Sequence, residues 1–459
     1  MALTRFDYIV WSVAGALGLA ILGVVALGDR VGVRVARTFP AEAGVVAASA
    51  RIGLEFADAM NTDTVEARFS LEPPIEGRFE WRGRQISFIP ARGLRPGQTY
   101  TARLRPGAQN REGRETKHEW RWSFSVREPY IVYLSAEAGG AREVWRVPAG
   151  GGARVPLTQT NGRVYDFAVA RDGEQIVYSV VNEARGADLW LVDREGRNAR
   201  MLVNCGADLC TTPAWSPGGG APGSARIAYS REPAGLSPGS PNGPPRVWTV
   251  EVSSGQTASV YQSSQVLGYG PVWSPDGRRL AFFDGSAQGI RLLDVGSGEE
   301  MLINTLMGTV GSWSPDGEAM AYNDLNLETG QPQSTLARAD FGPQTITPLV
   351  GQDATLSDFG APVWSPDGEW LAVSVRTRDG GPSKQIWLLR PDGSGRLPVT
   401  ADPSYTFGGQ RWNAAGDALV LQRIELNRPL ATPEVLVWQR ATNMVTLLAQ
   451  GAATPEWMP

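Results

Sequence analysis

The 459-residue chain is long enough for two or three domains with a sizeable core, and its formal net charge of −4 offers no electrostatic footprint for a nucleic acid. One histidine (His118) and two cysteines (Cys205 and Cys210) exclude a metal site or catalytic triad built on several histidines. With 54 glycines, 33 prolines and 16 tryptophans, turn formers alternate with aromatics, a composition suited to many short strands.

After a short tail (residues 1–7), residues 8–28 form an uncharged apolar run. Its length suffices to cross a hydrocarbon core of ~30 Å as a helix. Gly15, Gly18 and Gly23 suit a membrane helix. The run predicts an uncleaved, single-pass signal anchor in a bacterial cell membrane, with the bulk of the chain extracytoplasmic. A cleavable signal peptide is the rival, since Ala26-Leu27-Gly28 resembles a small-residue cleavage site. Arg30, Arg34 and Arg37 on the far side run against the positive-inside tendency, which large domains often override.

From residue 31 to 127 the pattern is period-two alternation in short segments separated by turns. Examples are Arg51 to Phe56, Tyr100 to Leu104 and Trp120 to Val126. Alternation of that length predicts the half-buried strands of a β-sandwich. Phe56-Ala57-Asp58-Ala59-Met60-Asn61, Phe88-Ile89-Pro90 with Leu94 to Tyr100, and Trp122-Ser123-Phe124 resemble the bacterial Ig-like domains of surface and S-layer proteins. That resemblance implies a spacer or adhesive module and brings no catalytic residues. His118, between Lys117 and Glu119, reads as a solvated loop position.

Residues 129–459 are a repeat array. Trp273-Ser274-Pro275-Asp276-Gly277 returns at Trp313 to Gly317 and at Trp364 to Gly368, with degraded copies at Trp215 and Trp412 and a last strand at Trp457. Each unit reads as a tryptophan strand, a tight Ser-Pro-Asp-Gly turn and three further strands, the composition of one propeller blade. The tryptophans are expected to wedge between neighbouring sheets. These units resemble the PD40 repeats of the TolB-like, WD40-like propellers. Counting first strands at Phe167, Trp215, Trp273, Trp313, Trp364, Trp412 and Trp457 predicts seven blades, whereas the resemblance implies six. The array opens at Tyr130 on a blade lacking its first strand and ends on a strand lacking its blade. The two halves therefore predict a ring sealed by strands from both ends. The expected fold is all-β: a seven-bladed propeller (six-bladed as the alternative), an Ig-like sandwich and one N-terminal transmembrane helix.

Strand alternation puts the Ser-Pro-Asp-Gly turns on one face of the ring. The long second-to-third connections and the inter-blade links fall on the other. Tyr165, Tyr269, Phe359, Tyr405 and Phe407 lie in those links and are the candidate partner-binding residues. Cys205 and Cys210, five apart in one link, permit a small disulfide ring, and free thiols are the alternative. Gly235-Leu236-Ser237-Pro238-Gly239 and Asp358-Phe359-Gly360 match hydrolase and kinase signatures without the companions those chemistries need. No catalytic, metal or cofactor-binding residue is assigned. The expected function is a non-enzymatic scaffold in a cell-envelope assembly, binding a protein in or on the membrane or a glycan. A propeller hydrolase or lyase acting on glycans is the second reading, and a ligand sensor the third.

Overall fold

The structure is a computed structural model describing residues 11–19, 22, 32–135, 140–217, 225–237, 239–263, 265–327, 333–350, 355–377 and 381–459. Apart from two short segments, it divides at Val126 into two compact units. Among the described residues no helix is long and apolar enough to cross a membrane. The run expected to do so lies largely outside them: within 8–28, residues 11–19 and 22 are described, and they are helical.

The first unit is a sandwich of two four-stranded sheets. One takes Val35–Phe39, Ile52–Phe56, Gln85–Pro90 and Gly77–Arg82 in that order; the other takes Gly44–Val46, Trp120–Val126, Thr99–Leu104 and Phe69–Glu72. The alternation predicted for these strands is realised as alternate burial. Ile52, Leu54 and Phe56 of one sheet, and Tyr100, Ala102 and Leu104 of the other, turn inward. Trp122, Phe69, Phe79 and Phe88 fill the middle through edge-to-face and stacked contacts.

The second unit is a ring of antiparallel sheets, each built from successive strands. Blade 2 runs from Val164–Val169 through Gln175–Val181 and Ala187–Asp193 to Arg200–Val203. Blades 3 to 7 start with inner strands Leu209–Trp215, Gly268–Trp273, Ser312–Trp313, Leu356–Phe359 with Val363–Trp364, and Tyr405–Trp412. Blade 1 joins the two ends of the repeat array. Ala452–Met458 pairs antiparallel with Tyr130–Ser135, which continues into Val144–Pro148 and Val155–Pro156. The predicted seal between the ends is thus present, and the blades number seven among the described residues, blades 2 and 3 being joined into one eight-stranded sheet by a parallel pairing of Ala187 with Leu209.

Closure is visible in the packing. One hydrophobic cluster joins each pair of neighbouring blades. They run from Leu134 and Tyr178 between blades 1 and 2 around to Val420, Val437, Ile131 and Tyr133 between blades 7 and 1. The repeated tryptophans add a second tie. Each of five donates its indole N–H to a backbone carbonyl of the preceding blade's inner strand: Trp215 to Ala168, Trp273 to Ala214, Trp313 to Val272, Trp412 to Val363 and Trp457 to Arg411, at 2.9 to 3.4 Å. Trp364 departs, donating to Gly368 in its own turn.

Phe167 lies in the first strand of blade 2, as counted, but another residue holds the tryptophan position there. Trp273 stands opposite Leu280, and the residue standing likewise opposite Ile176 in blade 2 is Val169. Trp412→Phe is expected to cost about 1–2 kcal/mol, because the part-buried Val363 carbonyl loses its donor. A chemical-denaturation midpoint unchanged from wild type would remove the indole bond from the account.

The Ser-Pro-Asp-Gly turn has one construction three times over. Ser274 donates its hydroxyl to Asp276, whose carboxylate also accepts the Arg278 N–H, and the Ser274 hydroxyl oxygen accepts the Arg279 N–H. Ser314 with Asp316 and Ser365 with Asp367 repeat it. Gly277, Gly317 and Gly368 take φ of 74°, 78° and 75°, where a Cβ would be strained. These aspartates are therefore held in turns rather than presented as acids.

Candidate functional site

Contacts between inner strands of successive blades place those strands innermost in the ring. Most are bulged. In blade 2, Val164 pairs with Val180 and the next paired residue is Phe167, so Tyr165 and Asp166 fall in the bulge and their side chains are re-aimed. Asp166 accepts the Ser179 hydroxyl from its own blade and, at 2.5 Å, the N–H of Thr212 in blade 3. Thr212 itself is a bulge residue at φ 51°. Its hydroxyl lies 2.6 Å from that of Ser230, whose oxygen accepts at 3.0 Å the N–H of Gly270, the blade 4 bulge residue at φ 61°. One chain of hydrogen bonds therefore ties the bulges of three blades.

That chain sets two aromatic rings on one rim. Tyr165 is 47% exposed and Tyr269 is 39% exposed. Burial, followed by the charges of Tyr165, Asp166 and Glu232, holds the Tyr269 hydroxyl above its ordinary pKa. Glu232 stands two residues beyond Ser230 on the second strand of blade 3, and so on the same side of that strand. On the sealing strand, Glu456 accepts the Val169 N–H at 3.1 Å.

Both central carboxyl groups are proton-hungry. Burial pushes Asp166 up to about 6, against the opposing hydrogen bonds from Ser179 and Thr212. Burial likewise raises Glu456 and the neighbouring Asp166 adds to the rise, while Arg411 and the Val169 N–H oppose it. Chemically, the rim offers two aromatic faces, one acid with a pKa of about 6 in Asp166, a second raised acid in Glu456, and carboxylate acceptors for a cation. Among the described residues no three His, Cys, Asp or Glu side chains gather as metal ligands.

The predicted binding residues do not all reach this rim. Tyr165 and Tyr269 do. Phe359 and Phe407, expected in exposed links, are 4% and 5% exposed and belong to inter-blade core clusters, because the inner strands begin earlier than the linker reading supposed. Tyr405 packs half-buried beside Phe407 under Arg423, whose guanidinium lies 4.0 Å from the ring centroid. Asp358 of the kinase-like tripeptide is a residue at φ 51° ion-paired with Arg376 and Lys384. Cys205 and Cys210 form a disulfide, buried between blades 2 and 3.

Asp166, Glu232 and Glu456 were missed as site residues. Asp166 and Glu456 sit in stretches the repeat alignment already marks. Blade 2 lacks the tryptophan that marks the register in blades 3 and 4, so Asp166 was not recognised as the bulge counterpart of Thr212 and Gly270.

Residues 29–126 match the family of bacterial Ig-like domains, Big_5. This segment is a bacterial Ig-like domain. No curated protein matches the chain. Structural neighbours are TolB and related β-propeller proteins. TolB from Acinetobacter baumannii is 15% identical over 93% of this chain and 99% of its own, with a TM-score of 0.42. A prolyl endopeptidase is 14% identical, with a TM-score of 0.51, over 72% of this chain and 50% of that one. Oligogalacturonate lyase from Vibrio parahaemolyticus is 11% identical, with a TM-score of 0.41, over 61% and 72%. At these identities a likeness speaks to fold and not to activity. The Ig-like domain carries none of the rim residues; Tyr165, Asp166, Glu232, Tyr269 and Glu456 all belong to the propeller.

Proposed function

We propose that the chain is a non-catalytic interaction subunit of a cell-envelope assembly, anchored through residues 8–28 and docking a protein partner at the propeller rim. The observation that carries this reading is the exposed pair Tyr165 and Tyr269, held by a part-buried hydrogen-bond chain on the face of the longer inter-strand connections. A buried disulfide between two blades suits an oxidising, extracytoplasmic compartment. The Ig-like domain serves as a spacer. Crosslinking the full-length protein in native membranes is expected to capture a protein partner. The double variant Tyr165→Ala, Tyr269→Ala is expected to lose it while keeping the wild-type thermal midpoint. An identical crosslinking pattern in the two proteins would sink the assignment of this rim.

One observation favours a second reading, a glycan-acting hydrolase or lyase: Asp166 and Glu456 are neighbouring acids with raised pKa values, as general acid–base pairs are. Turnover of a glycan panel by the purified chain, abolished by Asp166→Asn, would put this reading ahead of docking.

A further inference from the structure

Three tyrosines of the propeller share one arrangement. Arg146 lies over Tyr130 at 4.5 Å and binds Glu195 at 2.6 Å. Arg291 lies over Tyr261 at 5.9 Å and binds Asp284 at 2.8 Å and Glu300 at 2.5 Å. Arg423 lies over Tyr405 at 4.0 Å and binds Glu434 at 2.7 Å. A planar guanidinium does two things at once in such a stack: its face meets the ring and its in-plane N–H groups bind a carboxylate.

The rim has every part of that arrangement except the arginine. Tyr165 and Tyr269 present their rings; Asp166 is tied through Thr212 and Ser230 to Gly270, the residue after Tyr269, and Glu232 lies two residues beyond Ser230. Among the described residues no guanidinium lies over either ring, and neither Asp166 nor Glu232 has an ion-pair partner. The nearby Arg411 acts on Glu456 and donates to the Gln410 carbonyl at 2.9 Å. An empty Tyr–carboxylate seat, among filled ones of the same composition, specifies what fills it.

We infer that the docking partner inserts an arginine side chain at the rim, its guanidinium stacked on Tyr165 or Tyr269 and hydrogen-bonded to Asp166 and Glu232. The inference rests on the docking reading and names the chemistry of its partner. No bond forms or breaks, and the recognised group is a guanidinium on a protein segment.

The test uses the full-length chain in detergent, labelled with 3-fluorotyrosine, and the capped tripeptide acetyl-Gly-Arg-Gly-amide with its lysine and citrulline analogues. The Tyr165 and Tyr269 fluorine resonances are assigned from Tyr165→Phe and Tyr269→Phe. The arginine peptide is expected to shift both resonances saturably, and citrulline, which keeps the shape without the charge, to leave them unmoved. Asp166→Asn and Glu232→Gln are each expected to weaken binding by roughly tenfold, the loss of one charge-assisted bond. Binding of the lysine or citrulline peptide as tightly as arginine would overturn the inference, as would unweakened binding in both carboxylate variants. Loss of the membrane crosslink in the tyrosine double variant, without any arginine-peptide shift, would leave docking standing and remove this inference alone.

Discussion

Deleting residues 452–459 is expected to abolish the cooperative unfolding transition of the propeller. The deleted strand supplies Met458 to the cluster between blades 1 and 2, and Ala452 and Trp457 to the cluster between blades 7 and 1. Its loss bares one edge of Tyr130–Ser135, where Ile131, Val132 and Tyr133 are 0%, 0% and 2% exposed. A fully buried apolar side chain contributes roughly 1.5–3 kcal/mol, and a whole domain retains only about 5–15 kcal/mol of net stability. Opening two inter-blade clusters therefore removes a margin-sized share, and leaves an unpaired strand prone to edge association. Calorimetry of the truncated chain should lack the propeller's transition, and a peptide of residues 452–459 added in trans should restore it. A truncated chain melting with wild-type enthalpy and midpoint would show that the ring is held without this strand.

Between about pH 4 and pH 7, Asp166 is expected to make the protein less stable as pH rises. Its folded pKa of about 6 stands above the ordinary 3.8. The folded state therefore holds the proton more tightly than the unfolded chain. The stabilisation is full below the unfolded value and is lost as pH rises through the folded one. A rise of that size corresponds to roughly 3 kcal/mol between the two limits. Glu456, raised for the same first reason, acts in the same direction. Asp193, Asp294, Asp316 and Asp392 are shifted down and lose their contribution on acidification, so they act at lower pH and in the opposite sense. The informative quantity is thus the difference between Asp166→Asn and wild type. The asparagine can still accept the Thr212 N–H and hydrogen-bond Ser179. The variant should gain stability at pH 7.5 and match wild type near pH 4, read from urea midpoints at each pH. A difference that is flat across this range would show that the carboxyl stays hydrated and keeps its ordinary pKa.

The two predictions divide the molecule along the line between pattern and position. The sandwich strands and the blades were legible because burial on one side of a strand forces period-two alternation, and because repeated turns demand Ser, Pro, Asp and Gly in fixed order. Ring closure was legible too, since a missing first strand at Tyr130 and a surplus strand at Trp457 have one economical solution. The rim was harder. Tyr165 and Tyr269 were named from their links, but Phe359 and Phe407 were named on the same grounds and are core. An aromatic residue near a strand start carries no mark of which way it points, because bulges change the alternation locally. The same bulges hid Asp166: its partner Thr212, itself bonded to Ser230, lies in another blade, and no local pattern records a hydrogen bond between blades.

What the sequence by itself determined was the all-β architecture, the order of the units and the seal between the two ends of the repeat array, each written in local periodicity and turn chemistry. Only the tertiary structure decided which aromatic rings face solvent and which carboxyl groups are buried beside one another. Those properties depend on how neighbouring blades bring separate inner strands together, and a side chain's pKa and exposure are set by that surrounding, not by the residues next to it in the chain.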